Sequence, residues 1–430
     1  MDKKGSLTQR ICLTIGILLI VEFLSQIPLL GINREMISLW VNSAINSTFG
    51  MLNMFSGNSF QTLSIFALGI APYITSSIIL QLLRVAIPKL DRVCKDAKSE
   101  KEFVEKITVI GALFIGIIQT IPVVINIANN GLLIENNWTY RLLVGGMIFI
   151  GSLILIGLGK FIDKKGIGKG ISLILLVNIL SSFKTDLMGI YANFIMGKDA
   201  TTIATTIAVA VLVIVFSLLV VIYLHEGKKD VKVVFSGKFQ NGRTVKPADS
   251  SIPLKVNMSG VMPVIFASTL IQIVPMIVTF TGVSQDSTIF EISKYLNQSY
   301  WFIFSDMKYT IGVFLYFAAI VFFAYFYTMI SFNTRDIAEN LNRQGGTIAG
   351  IRPGKSTQQY LDSMVKYMVL LGALMLIVVT VIPMLIGGAV GYNLSFGGTS
   401  IIIIVSVLIE TYKTYEAEKN VAKPVSFTGF

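Results

Sequence analysis

His225 is the only imidazole in 430 residues, so a catalytic reading has to start from it. It stands at the end of an apolar stretch beside Glu226 and Lys228, a setting that suits an interfacial residue better than a general base. No serine or cysteine has an evident base in the sequence, and no glycine loop of the phosphate-cradling kind is present. Cys12 in an apolar stretch and Cys94 in a basic loop do not make a disulfide framework, nor with one histidine a metal site. No catalysis, cofactor or metal is expected, and energy for any transport has to come from a partner. Glu22 is the one acid that stands out. A carboxylate at mid-helix costs about 2.5–3.5 kcal/mol on insertion scales, so it is either functional or architectural: it faces a hydrated funnel or pairs with a partner subunit.

The elements that carry these residues read as membrane spans. The chain is 53% hydrophobic and 14% charged with mean hydropathy +0.73, far from a soluble domain. Ten stretches qualify: 11–30, 60–83, 107–128, 140–160, 169–183, 203–224, 259–280, 309–330, 366–387 and 397–412. The first follows Lys3, Lys4 and Arg10 without a small-residue cleavage site, so it reads as a span and not a removed signal. Of the 35 lysines and arginines, 29 fall on the side that holds both termini and 6 on the other. The positive-inside rule makes that side cytoplasmic and assigns the net charge of +11 to topology, not nucleic acid.

Ten spans divide into two halves of five, 1–183 and 184–430, and an odd number per half inverts the second relative to the first. Weak spans take matching places. The second carries Gly69 and Pro72, and its counterpart, the seventh, carries Gly260, Pro263 and Pro275. The fifth and tenth are short, entered through Gly166, Gly168 and Gly170 and through Gly397 and Gly398. Paired interrupted segments point to a central pathway, here walled by spans two, five, seven and ten. Two long loops on the basic side offer partner surfaces. Residues 226–255 suit a β-hairpin around Asn241-Gly242, and 331–366 hold a helical piece, Thr334 to Asn342, before a glycine-rich turn.

Five motifs then become recognisable: Asn53-Met54-Phe55-Ser56-Gly57, the run from Ser64 to Ile74, Ile252 to Asn257, Gly350 to Gly354, and Phe396 to Ser400. In this order and over nearly the full length, the chain closely resembles the SecY family, the central subunit of the protein-conducting channel. Gly166 to Ser172 fits the same pattern. The resemblance implies an all-α polytopic membrane protein, ten transmembrane helices in two inverted halves around an hourglass pore. It would pass unfolded secretory chains across the membrane and release apolar segments sideways into the lipid bilayer.

The resemblance assigns a pore ring to Ile70, Ile74, Leu175, Ile179, Ile265 and Ile403. Branched side chains suit it, being stiff at χ1 and offering no polar atom to water or ions. Ile70/Ile74 and Leu175/Ile179 each lie four apart on one helix face; ordinary helix packing is the alternative. The polar segment from Val41 to Gly57 resembles the family's plug, carried by Asn53, Met54, Phe55, Ser56 and Gly57, with an external surface loop as the alternative. Lateral exit needs a seam between spans two and three and spans seven and eight, where Thr75, Gln119 and, more weakly, Gln272 fit the polar positions. Gly69 and Pro72 would let the second span bend as that exit opens. The basic loops would dock a ribosome or a SecA-type motor ATPase, through Arg352, Pro353, Gly354, Lys228 and Lys229. A loop-folding hydrogen bond is the other role for Arg352. SecE-like and SecG-like small membrane subunits are the further partners, the membrane is the bacterial cytoplasmic one, and nucleic acid enters only through ribosome contact.

The chain departs from the family pattern mostly on its basic face. The loop at 88–106 lacks the usual Gly-Arg-Arg-Lys run and the loop at 226–255 lacks its dense basic start. Gln344, Thr347 and Ala349 replace the more typical Asn, Phe and Pro, and Glu22 and Phe23 stand where an uncharged and a basic residue are common. These changes point to a specialised member with its own motor; drift in an ordinary member is the alternative. The rival class is a secondary transporter built on the same inverted repeat, which would need a mid-membrane binding constellation that beyond Glu22 is not seen.

Overall fold

The computed structural model describes residues 6–33, 37, 56–96, 99–191, 196, 199–235, 239–240, 243–244, 250–280, 287–302, 307–390 and 398–422. Each of the ten expected spans has a helix. They are α1 (Leu7–Ser25), α2 (Ala71–Ala86), α4 (Glu100–Asn129), α5 (Trp138–Lys165), α6 (Gly170–Ile190), α7 (Ala200–Glu226), α8 (Met262–Phe280), α10 (Ile311–Ser331), α12 (Lys355–Val390) and α13 (Gly398–Ala422). Short helices α3 (Pro88–Asp96), α9 (Thr288–Leu296) and α11 (Thr334–Arg343) lie between them. Six of the ten are long and apolar enough to cross a membrane unaided: those of spans one, three, four, six, eight and nine. The four that fall short alone belong to spans two, five, seven and ten, the set expected to wall the pathway. A helix whose flanks are protein and not lipid does not need a full apolar length.

The second span departs from the reading of a bent helix over 60–83. Its helix starts only at Ala71, with Pro72 in the first turn, where a missing N–H costs nothing. Residues 59–70 are turns with Ser64 bridged to Pro28, and Gly69 at φ +56 makes the corner no side-chain-bearing residue adopts cheaply. Such backbone survives at membrane depth only when protein satisfies it. It does: the Ser152 hydroxyl donates to the Gly69 carbonyl at 2.9 Å, the Leu29 N–H donates to the Leu63 carbonyl at 2.9 Å, and Phe60, Leu63, Phe66 and Leu68 are buried. So Gly69 and Pro72 mark a helix start and not a bend within one.

The fifth and tenth helices also run longer than expected. Lys184 ends the apolar part of α6, and α13 continues past its apolar turns through Glu410, Lys413 and Glu418. On the face where α1 begins and α13 ends, called the terminal face below, three antiparallel strands join the two long loops. β1 (Lys228–Phe235) lies between β4 (Ser250–Lys255) and β5 (Gly346–Ile348), paired Lys228 to Lys255 and Val233 to Ile348. Val231 and Leu254 bury one face with Ile348 and Leu361, while Lys228, Lys229 and Lys232 point outward. β2 (Phe239–Gln240) pairs β3 (Arg243–Thr244) across the expected two-residue turn, whose Asn241 and Gly242 lie outside the described residues.

Candidate functional site

The centre of the molecule is built from four helix starts. In α2 a left-handed Gly69 comes two residues before the helix and Pro72 sits in its first turn; in α8 Gly260, at φ +65, comes two before the helix and Pro263 sits in its first turn. The two segments read Gly-x-x-Pro-x-Ile, ending on Ile74 and Ile265. α6 and α13 both begin Gly-x-Ser, and five residues after that glycine come Leu175 and Ile403. A branched residue five after a glycine thus recurs on four helices, a signal the sequence held but the reading of weak spans passed over. Ile70, Leu175, Ile179, Ile265 and Ile403 are buried members of one apolar cluster, and Ile74 packs against it. At about 25 cal/mol per Å² of apolar surface, side chains from opposite ends of the chain hold each other here with no polar partner needed.

Of the expected plug, Asn53, Met54 and Phe55 lie outside the described residues. Of its other two residues, Ser56 is buried and Gly57 is pressed on the fifth span. The Ser56 hydroxyl accepts from the Phe60 N–H at 3.2 Å. Gly57, at φ +66, lies so near α6 that a Cβ on it would stand 2.8 Å from the Asn178 Cα. The Asn58 amide donates to the Ser181 carbonyl at 3.4 Å. From the other side Glu22 on α1 accepts from the Ser181 hydroxyl at 2.7 Å and from the Gln26 amide at 3.1 Å. Its second carboxylate oxygen is buried and makes no hydrogen bond among the described residues. The carboxylate therefore bridges α1 to α6 next to the segment after the plug.

The gate residues are only partly brought together. The Gln119 amide donates to the Thr75 hydroxyl at 3.4 Å, and Thr75 also donates to the Ala71 carbonyl at 3.0 Å. These residues join α2 to α4, two helices on the same side of the expected seam. Gln272 on α8 is half-buried and bonded to neither, and the Gln119 carbonyl oxygen is buried without a partner among the described residues. Across the seam itself α8 packs on α4.

On the terminal face Arg352 is exposed, and its guanidinium makes no hydrogen bond or ion pair among the described residues; only its carbonyl folds the loop, accepting from the Thr357 hydroxyl at 3.0 Å. Pro353 is exposed and Gly354 turns the chain at φ +93 into α12. Lys228 and Lys229 open β1 on the same sheet that Ile348 extends. His225 does have a serine partner: Nε2 lies 2.5 Å from the Ser406 hydroxyl, against the reading that no serine has a base. Ser406 is buried in the contact of α7 with α13, and the neighbouring Glu226 is held by Lys413 at 2.7 Å, so the pair ties two helices.

A family model described as SecY matches residues 64–412. The chain belongs to the SecY family. The protein translocase subunit SecY of Helicobacter pylori is 31% identical over 432 residues, covering 99% of each chain. Among solved structures, one titled as the structure of a protein conducting channel superposes with a TM-score of 0.69 at 18% identity, covering 100% of this chain and 96% of that one. Sec61 in a canine ribosome-channel complex from the endoplasmic reticulum follows at 0.66 and 17%, with 100% and 96% covered. The SecY-family fold is thus a polytopic membrane protein, and the helices set out above are those of that fold.

Proposed function

We propose that this protein is the pore subunit of a protein-conducting channel, passing unfolded secretory polypeptides through the membrane and releasing apolar segments into lipid. The observation that carries the reading is the buried apolar cluster that holds Ile70, Leu175, Ile179, Ile265 and Ile403, with Ile74 packed against it, at the starts of α2, α6, α8 and α13. A seal of branched apolar side chains closes on itself when empty and parts around an extended chain, whatever its sequence. Its gate lips are α2 with α4 and α8 with α10, and the segment ending at Gly57 plugs the outer side. The terminal face is cytoplasmic in the bacterial inner membrane, and no reaction is catalysed by the chain itself. There Arg352, with five donors free, and Lys228 and Lys229 dock a ribosome or a SecA-type motor, while SecE-like and SecG-like subunits brace the halves. The ribosome-bound Sec61 channel supports the first of these partners.

The test is a secretory chain stalled in transit, with single cysteines at Ile70 and Ile265 of the channel in reconstituted vesicles. Adducts to the stalled chain at both positions are expected. Absence of adducts together with uptake of a small solute would replace the channel by a transporter.

A further inference from the structure

The glycine motif from Gly166 to Gly170 leads into α6, and beyond that helix start its contacts have no part in the pore, gate or docking assignments. It is the turn between α5 and α6, and helix α1 grips it twice from positions one turn apart. Arg10 donates to the Gly166 carbonyl from Nε at 3.1 Å and Nη2 at 2.5 Å, and the Ile167 N–H donates to the Thr14 hydroxyl at 3.0 Å. The turn is cut to fit. A Cβ on Gly166 would meet the Thr14 hydroxyl at 2.5 Å, and one on Gly170 would meet the Gly159 carbonyl oxygen at 2.0 Å. The Gly170 N–H, at the start of α6, is taken by the Asp163 carboxylate at 2.7 Å.

The other half of the chain enters the same turn through α13. Thr411 lies against Gly168, where a Cβ would stand 3.2 Å from both Thr411 side-chain atoms and φ is +82. Lys169 pairs with Glu410 at 2.6 Å, and the remaining nitrogen of Arg10 pairs with Glu418 at 2.6 Å. The two pairs are not equal. Lys169 and Glu410 are 69% and 46% exposed and screened by water, whereas Arg10 and Glu418 are 13% and 26% exposed, with the guanidinium fixed by the Gly166 carbonyl.

We infer that Arg10, the Gly166–Gly170 turn and Glu418 form a joint between the two halves that positions the pore ring, holding Leu175 on α6 against Ile403 on α13. The inference rests on the reading of those two residues as ring members. Leu175 lies five residues beyond Gly170, and Ile403 lies eight residues before Thr411, the α13 residue that lies against Gly168 of the turn. At 1.5 Å per residue the lever from Thr411 at the joint to Ile403 is about 12 Å, so a tilt of about 5° at the joint moves that side chain by about 1 Å. A seal made of branched side chains in van der Waals contact does not survive a gap of that size against water. Arg10 and Glu418 are thus positioning residues: they touch no translocating chain and act through the register of two helices.

The experiment reads ring geometry directly. Cysteines replace Leu175 and Ile403 in a background with Cys12 and Cys94 changed to serine, and the rate of bridging by a short bifunctional thiol reagent is measured in idle channels in vesicles, alongside ion leak. Arg10→Glu and Glu418→Arg each should change the bridging rate about fivefold or more and raise the leak, and the double exchange should restore both. If either reversal leaves too little folded channel, Arg10→Gln and Glu418→Gln replace it, with a smaller change in the same sense expected. Unchanged bridging in the single variants, or a change that the exchange does not reverse, overturns the joint. Because bridging needs no substrate, a channel that bridges as expected but passes no polypeptide would refute the pore reading and leave the joint standing.

Discussion

Replacing Gly57 by alanine should loosen the plug from the fifth span and make the idle channel leak. Two costs add. At φ +66 a residue with a Cβ pays about 1–2 kcal/mol for the left-handed region. The Cβ also falls 2.8 Å from the Asn178 Cα and 3.0 Å from its Cβ and Oδ1. Ordinary contact begins near 3.4 Å, and the closest obstacle is helix backbone that no rotamer change removes. Either the segment or α6 must therefore retreat. Even the conformational term alone, about 1–2 kcal/mol, raises a detached population about 5- to 30-fold. The assay is ion flux through purified channels in vesicles without substrate, beside Gly16→Ala, which sits on α1 with nothing within 4 Å of its added methyl group. Gly57→Asn separates the two costs, since asparagine tolerates the left-handed region but keeps the clash. Leak from both Gly57 variants and none from Gly16→Ala is expected. An Ala variant as tight as the parent would refute the argument that this contact holds the plug; leak from Ala but not Asn would leave only the conformational term.

Gln119→Leu removes a buried unpaired carbonyl and, with Thr75→Leu, the bond inside one gate lip, so less apolar segments should fail to enter lipid; an unchanged insertion threshold counts against the seam assignment. Arg352→Glu should abolish motor- or ribosome-driven translocation while thermal unfolding stays put, because its exposed guanidinium holds nothing in the fold; translocation at the parental rate would remove Arg352 from the docking surface. Glu291, held below the usual carboxylate range by the Tyr309 hydroxyl and then by Lys308 and Lys294, gives its loop stability that is full above pH 4.5 and lost as pH falls further through its lowered value. Fluorescence of the nearby Trp301 should therefore titrate in acid, and the Glu291→Gln variant should not.

How much of this could be read from the chain depends on which physics each feature uses. Spans announce themselves by apolar length, and all ten helices stand near the expected places. The hairpin at Asn241-Gly242 and the helix at Thr334 were legible because turn and capping preferences are local: Asn333 caps that helix with its side chain on the N–H groups of Arg335 and Asp336. The joint at Gly166 was not. Arg10 and Glu418 are 408 residues apart, and nothing within either segment names the other. The serine beside His225 was missed for the same reason, being 181 residues away. The third strand of the terminal sheet was missed because Gly346–Ile348 is too short to show a period and forms only against Val233–Phe235.

The second span shows how a correct signal can carry the wrong mechanics. Gly69 and Pro72 were legible as a break, and a break in a membrane helix suggests a hinge within it. The helix instead begins there, so Ala71–Ala86 is one uninterrupted rod with Ile74 in its first turn. A rod pivots where its backbone is not helical, and that place is the turn at Gly69, whose carbonyl is held by Ser152 on α5. α8 repeats the start, with Gly260 ahead of Pro263 and Ile265 in its first turn, but carries Pro275 inside the helix and so is not an unbroken rod. On the proposed function, α2 would swing about its own start when the exit opens, and Ile74, next to that pivot, would move least while the far end parts most. A pore opening in that way would part toward lipid along the far end of α2 and keep its seal around the chain at Ile74.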